Sequence, residues 1–345
     1  YENGSDGQLY EYELTYFPQQ TVDRDPESRK VPNPDGVAGT PIRYLGDDQE
    51  HFRWAFLNKN NRVENDYSQL MEFTRVFGQS GDKFNNQIAD VIDVDQWLRG
   101  FAFSVMTGHG DNYGADGSQH NFQLFERPSD NRFLFLPHDL DAFFDYRRAL
   151  VGNQDLRKLI RVPDHEHMYY GHVHDMIQTT FNEQYMQRWT DHWRELLPRQ
   201  RFDRHLTDLV RRSDYLMTQI ERQAPDVEFA ITSPAATVDE SVATIEGNGW
   251  VNVREIRLAG SSVPLDVTWT DVTEWQIDVP LAEGANPVTV EAYDFQGALI
   301  GTSNVTITST VANPIADSLA ITEINYHPAE PTAEERQQIA NLDDD

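Results

Sequence analysis

Cysteine is absent from all 345 residues. Disulfides and thiolate zinc sites are thereby excluded, although the absence does not locate the protein, because chains of oxidising and reducing compartments alike can lack the residue. Basic residues are few: 28 Lys and Arg stand against 57 Asp and Glu, for a formal net charge of −29. So acidic a chain is repelled by phosphate backbones, which argues against nucleic acid or an anionic membrane as partner. Lysine is scarce even beside arginine, a balance expected of proteins from saline or marine settings. No apolar run approaches the roughly 20 residues that span a bilayer.

What is present is a stretch from Asp111 to Asp141 with the residue types of a chemical site. A Gly- and Asn-rich loop, Gly108-His109-Gly110-Asp111-Asn112-Tyr113-Gly114, leads to His120-Asn121 and then to Pro137-His138-Asp139-Leu140-Asp141. Between them, Phe122–Phe125 and Phe133–Leu136 read as two strands joined by turn formers from Glu126 to Asn131. Side chains alternate along a strand, so Asp139 and Asp141 share a face if the second strand persists that far. Two adjacent carboxylates suit a hard cation such as Mg²⁺ or Mn²⁺. Asn121 adds a neutral oxygen, and Asp111 a carboxylate that either ligates or orients a nucleophile. A loop Asp, a later Asn and a strand-end Asp is the layout of metal-dependent phosphoryl transfer. Asp and Asn are also the commonest turn residues, and the same pattern is compatible with turns alone. The loop from Asp111 lacks the alternating ligands and terminal Glu of an EF-hand.

The segments Asp95–Ala102, Gly108–Asp111, His120–Phe125 and Phe135–Phe144 together resemble the core of the CotH kinase family, atypical kinases that are secreted or spore-coat-associated. Gly7-Gln8-Leu9-Tyr10 is similar to that family's "GxLY" segment, and Asp66–Leu70 to its "DYSxL" helix start. Tyr170–Asp175, Phe181–Glu183 and Arg212–Asp214 resemble its closing helices, so the resemblance covers most of residues 1 to about 225. It implies ATP and Mg²⁺, with Mn²⁺ as an alternative ion. Asp111 would be the catalytic-loop Asp that orients or deprotonates an acceptor hydroxyl, Asp139 the metal-binding Asp, and Asn121 and Asp141 the groups completing the site around the metal and the ATP phosphates. The implied acceptor is Ser or Thr of an extracellular or envelope protein of a bacterium. His138 departs from the pattern, standing where Trp is usual and placing a titratable group beside the site. The family's phosphate-binding Lys and its partner Glu are expected before Tyr1, so this chain is expected to be part of a longer protein and inactive by itself.

The fold class expected is α+β: the C-terminal part of an atypical protein-kinase-like fold in residues 1–225, followed by an all-β immunoglobulin-like sandwich in residues 226–312. Residues 313–345 are expected to hold a linker and the start of a lamin-tail-like domain, from Ala320–Pro328. Residues 1 to about 60 read as short strands and polar loops, with turns at Asp23–Pro26 and Pro32–Gly36. A first helix is expected from Asp66, with Leu70, Phe73 and Phe77 as its apolar stripe. A second, from near Asp93, carries Trp97, Phe101 and Val105 towards Gly108. Asp155–Val162, His172 to about Leu197 and Phe202 to about Gln223 follow; in the last, Leu206, Leu209, Val210, Leu216 and Ile220 face inwards and Arg211-Arg212 lie near solvent. From Val227 apolar and polar residues alternate at period two between regular turn signals, as a β-sandwich requires.

His165, His167, His172 and His174 raise a zinc reading beside a structural one, without an HExxH pattern. Two further functions stay open beside the kinase: a non-catalytic, degenerate kinase fold acting as a binding or adhesion module, and a D-x-D glycosyltransferase.

Overall fold

A computed structural model describes residues 6–12, 42–110, 112–114, 121–140, 145 and 147–312. The expected turns at 23–26 and 32–36 and the lamin-tail-like segment at 320–328 lie outside the described residues. Strand β1 (Leu9–Tyr12), helix α1 (Gln49–Ala55) and strand β2 (Phe56–Asn58) come first. Helices α2 (Ser68–Phe77), α3 (Asp82–Val91) and α4 (Val94–Met106) lead to a hairpin of β3 (Phe122–Glu126) and β4 (Phe133–Pro137). Helices α5 (Gln154–Leu159), α6 (Pro163–Thr179), α7 (Glu183–Leu196) and α8 (Phe202–Gln223) close the helical region. Strands β5 (Ala230–Ile231), β6 (Ala236–Val238), β7 (Val242–Asn248), β8 (Glu255–Leu258), β9 (Thr268–Trp269), β10 (Glu274–Pro280), β11 (Gly284–Tyr293) and β12 (Leu299–Ser309) follow. The fold is α+β, a helical region around one antiparallel sheet and then two sheets that form a sandwich.

The first sheet has the order β2-β1-β3-β4, antiparallel throughout. Leu9 pairs with Phe125 and Tyr12 with Phe122, so the Gly7–Tyr10 segment is a central strand beside the hairpin. Helix α4 packs across β4 because its apolar stripe, Trp97, Phe101 and Val105, is fully buried. The Trp97 indole also donates to the Phe133 carbonyl at 2.7 Å, satisfying the polar end of a buried ring. Asp93 caps this helix, accepting from the Gln96 amide at 3.2 Å.

Four details differ from the sequence expectations. Helix α1 lies within the region read as strands and loops, started by Asp48, whose carboxylate accepts from the Glu50 amide at 3.0 Å. Helix α3 was not expected: only Phe84 and Ile88 are buried along it, and the Asn85-Asn86 pair between them weakens the helical signal. The long helix expected from His172 to Leu197 is two helices, and α6 begins earlier, at Pro163, where proline suits a first helical position. Asn182 makes the break: its side chain accepts from the Tyr185 amide at 2.8 Å to start α7 and donates to the Ile177 carbonyl at 3.0 Å to close α6. Asp66 serves α2 from one position further out, accepting from Ser68 at 2.9 Å while Tyr67 occupies the cap.

In the sandwich, one sheet runs β5-β7-β10-β9 and the other β6-β12-β11-β8. Ile245, Trp275 and Ile277 of the first sheet meet Val290, Ala292 and Ile307 of the second in a common core. Helix α6 carries this sandwich. A Cβ on Gly171 would lie 2.5 Å from the Phe295 ring and 2.7 Å from the Val251 carbonyl, so only glycine lets the helix approach so closely. Asp164 accepts from the Trp269 amide at 2.7 Å, and Asp95 of α4 accepts from both His172 (2.7 Å) and Arg254 (2.9 Å). His167 is buried with Nδ1 2.8 Å from the Val272 carbonyl and Nε2 2.7 Å from that of Val253.

Burial dominates the His167 ring and pulls its pKa down to about 4, against about 6.5 in an unfolded chain. The folded state binds fewer protons in that interval, so stability rises with pH through it. The contribution of His167 is complete above about pH 6.5 and is lost as the pH falls towards 4, with about 2 kcal/mol gone between pH 8 and pH 5. Chemical denaturation at both pH values should show that loss, and His167→Gln should remove most of it. An unchanged pH dependence in that variant would contradict the assignment.

Candidate functional site

The loop before Asp111 is shaped by the way α4 ends. Thr107 caps the helix and Gly108 follows with φ +61. The Gly108 amide donates to the Val105 carbonyl at 3.0 Å and the His109 amide to that of Ser104 at 3.5 Å, the paired pattern of a Schellman ending. Glycine is required twice over, by the left-handed backbone and by the Asp145 carbonyl, which would sit 2.6 Å from a Cβ. The Asp145 amide in turn donates to the Gly108 carbonyl at 3.1 Å.

Asp111 and Asp141 lie outside the described residues, as does His120. Asn112, which the sequence reading left without a role, is fully buried and ties three segments together. Its amide nitrogen donates to the Asn121 carbonyl at 2.7 Å and, more weakly, to that of His138 at 3.4 Å. Its oxygen accepts from the Gly114 amide at 2.9 Å. Tyr113 is buried next to it, stacked on Phe122 with ring centroids 4.6 Å apart, and donates its hydroxyl to Asp155 at 2.8 Å. Asn153, the cap of α5, donates to the Tyr113 carbonyl. The loop is thus pinned to the open end of the β3–β4 hairpin on one side and to α5 on the other.

Asn121 and Asp139 flank that end of the hairpin, and both adopt left-handed backbone, φ +61 and +49. Phe122 pairs with Pro137, and the His138 amide donates to the Asn121 carbonyl at 3.0 Å as a last rung beyond the strands. Strand β4 ends at Pro137, so the condition on which Asp139 and Asp141 were expected to share a face, a strand that persists to them, is not met. The left-handed turn at Asp139 breaks the alternation on which it rested. Asp139 and His138 are exposed. Next to them, Pro137 and Leu140 line an apolar cavity of about 950 Å³ together with Phe103, Met106, Phe135 and Met186.

The donors present at the hairpin end, an amide oxygen and a carboxylate, are the hard oxygens that fit Mg²⁺. Among the described residues no group of three or more His, Asp or Glu is arranged to hold a metal ion. The four histidines of α6 each have other partners: His165 the Leu159 carbonyl at 3.0 Å, His167 two carbonyls of the sandwich, His172 Asp95, and His174 the Trp250 ring at 4.8 Å. Arg212, expected near solvent, is fully buried instead. Its helical position was legible, but the carbonyls that draw it inwards come from elements more than 60 residues away.

A family model described as CotH kinase protein matches residues 5–228. Among solved structures, fibronectin(III)-like modules of Clostridium thermocellum CbhA are similar at 19% identity, over 24% of this chain and 98% of that one, with a TM-score of 0.20. Comparison with curated proteins gave no match.

Asn112→Ala should cost about 2 kcal/mol in urea denaturation, because it removes a buried donor to the Asn121 and His138 carbonyls and the acceptor of the Gly114 amide. Asn112→Asp should be at least as costly, since a carboxylate oxygen then faces the Asn121 carbonyl. Either variant unfolding like wild type would show that Asn112 does not tie the loop.

Proposed function

The chain belongs to the CotH kinase protein family, and from that premise we propose that it serves ATP- and Mg²⁺-dependent transfer of a phosphoryl group to Ser or Thr of an extracellular or envelope protein. The family implies kinase-like activity with use of ATP and a divalent metal in general. In the reading proposed here, the acceptor hydroxyl oxygen bonds to the γ-phosphorus of ATP while the bond from that phosphorus to the ADP oxygen breaks. Asp111 orients the hydroxyl and receives its proton. Asn121, Asp139 and Asp141 would hold the metal, which would supply positive charge to the phosphate oxygens. The His138 amide rung and the Asn112 side chain fix the backbone of Asn121, so that its amide is presented from a rigid hairpin end rather than a free loop.

The observation that carries this reading is the family match over residues 5–228, and it is supported by the loop and hairpin end meeting at Asn112. The sandwich, proposed to span residues 226–312, is read as a spacer or adhesion module, and the protein as extracellular or envelope-bound in a bacterium. No helix among the described residues is long and apolar enough to cross a membrane.

Incubation of the protein in its full natural length with labelled ATP, Mg²⁺ or Mn²⁺ and a Ser-rich protein should label the acceptor. Asp111→Ala and Asp139→Ala should each lower the rate by at least about 100-fold. Wild type transferring no more phosphate than either variant would leave the non-catalytic binding module as the better reading.

A further inference from the structure

The turn from Val105 to Gly110 leaves α4 on the way to position 111, and arginines from two other segments grip its backbone. Arg212 of α8 is fully buried. Its Nη2 donates to the Val105 carbonyl at 2.5 Å, its Nε to that of Met106 at 3.4 Å, and its Nη1 to that of Arg148 at 2.5 Å. The Arg148 side chain reaches on to the Gly110 carbonyl at 3.3 Å. The carbonyls of Val105 and Met106 belong to the last turn of α4, where the helix supplies no i+4 amide donors and carries partial negative charge; Arg212 adds to the turn-closing amide at Val105 and supplies a donor to Met106. Burial pulls the Arg212 pKa down to about 10, so the guanidinium keeps its charge at neutral pH.

Packing alone does not call for an arginine here. The neighbouring inward positions of α8 are Leu209, Leu216 and Ile220, and another leucine would fill the space without desolvating a cation. The planar fork of a guanidinium, with donors in fixed directions, is what lets one side chain bind carbonyls of two separate segments at once. Those two segments are the end of α4 and the stretch containing Arg148, and they enclose the Gly108–Gly110 turn from either side.

We propose that Arg212 is a positioning residue for the phosphoryl-acceptor loop: with Arg148 it fixes the backbone from Val105 to Gly110, and so the point from which residue 111 departs. The proposal rests on the kinase reading above for its functional consequence and on the hydrogen bonds alone for its structural one.

Arg148→Ala, Arg212→Gln and Arg212→Lys, each in the full-length natural protein, separate the two. In Arg148→Ala, a half-buried site that should fold, hydrogen exchange should quicken about tenfold in the segment 108–114 and stay unchanged in α8 and the β3–β4 hairpin. In Arg212→Gln the quickening should extend to Val105 and Met106. Phosphoryl transfer should lose about 100-fold in kcat with KM for ATP within about twofold of wild type. Arg212→Lys, which keeps the charge and three donors, should recover part of both. Exchange unchanged across 105–114 in Arg148→Ala and Arg212→Gln, or quickened evenly through the chain in both, overturns the proposal. Segment-specific quickening in a protein whose wild type transfers no phosphate would uphold the cradle and defeat the kinase reading instead.

Discussion

The carbonyls at the C-terminal end of α4 must find donors inside the protein, and the architecture around the candidate site follows from how they find them. An unanswered buried carbonyl costs roughly 1–3 kcal/mol, so a helix that ends in the core needs partners from elsewhere. Gly108 and His109 answer the Val105 and Ser104 carbonyls by turning the chain back on the helix, and Arg212 of α8 answers that of Met106 and gives Val105 a further donor. The turn that results exposes its own carbonyls, and Asp145 and Arg148 meet those of Gly108 and Gly110. Beyond the turn's own amides, the donors come from segments distant in sequence, α8 and the stretch from Asp145 to Arg148.

Asn112 extends the same logic to the hairpin. It is the next residue after position 111, and its carboxamide reaches the carbonyls of Asn121 and His138, the residues that precede and follow the paired strands. A single buried side chain thereby couples the loop to both strands at the open end of the hairpin. In phosphoryl transfer, catalysis is positioning and charge stabilisation with little covalent chemistry for the protein to perform. A site whose backbone is tied by buried amides and guanidinium groups suits such chemistry better than one built on free loops.

The sandwich bears on the same helix from the other end. Asp95, in the first turn of α4, holds His172 of α6 and Arg254 of the sandwich, while Gly171 lets Phe295 lie against α6. Helix α4 is therefore held at its start by the sandwich and at its end by α8. Two of the histidines of α6 that drew a zinc reading are part of this contact: His167 bonds to carbonyls of the sandwich and His172 to Asp95.

Much of this was legible in the residues. The period of Trp97, Phe101 and Val105 fixed α4, the glycine after it marked its end, the alternation from Val227 onwards gave the sandwich, and the motifs around Asp111 and Asp139 pointed to the family whose model matches residues 5–228. These signals are local, set by periodicity, capping and turn chemistry within a few residues. What they did not contain was the choice of partners. The inward turn of Arg212, the tie made by Asn112, the break at Asn182 and the end of β4 at Pro137 depend on carbonyls and amides brought near by the fold. A polar side chain reads as solvent-facing until the tertiary structure supplies a buried group that only it can satisfy, and for that reason the sequence determined most of the elements and the family of this protein while the fold decided which side chains tie the loop and the hairpin end together.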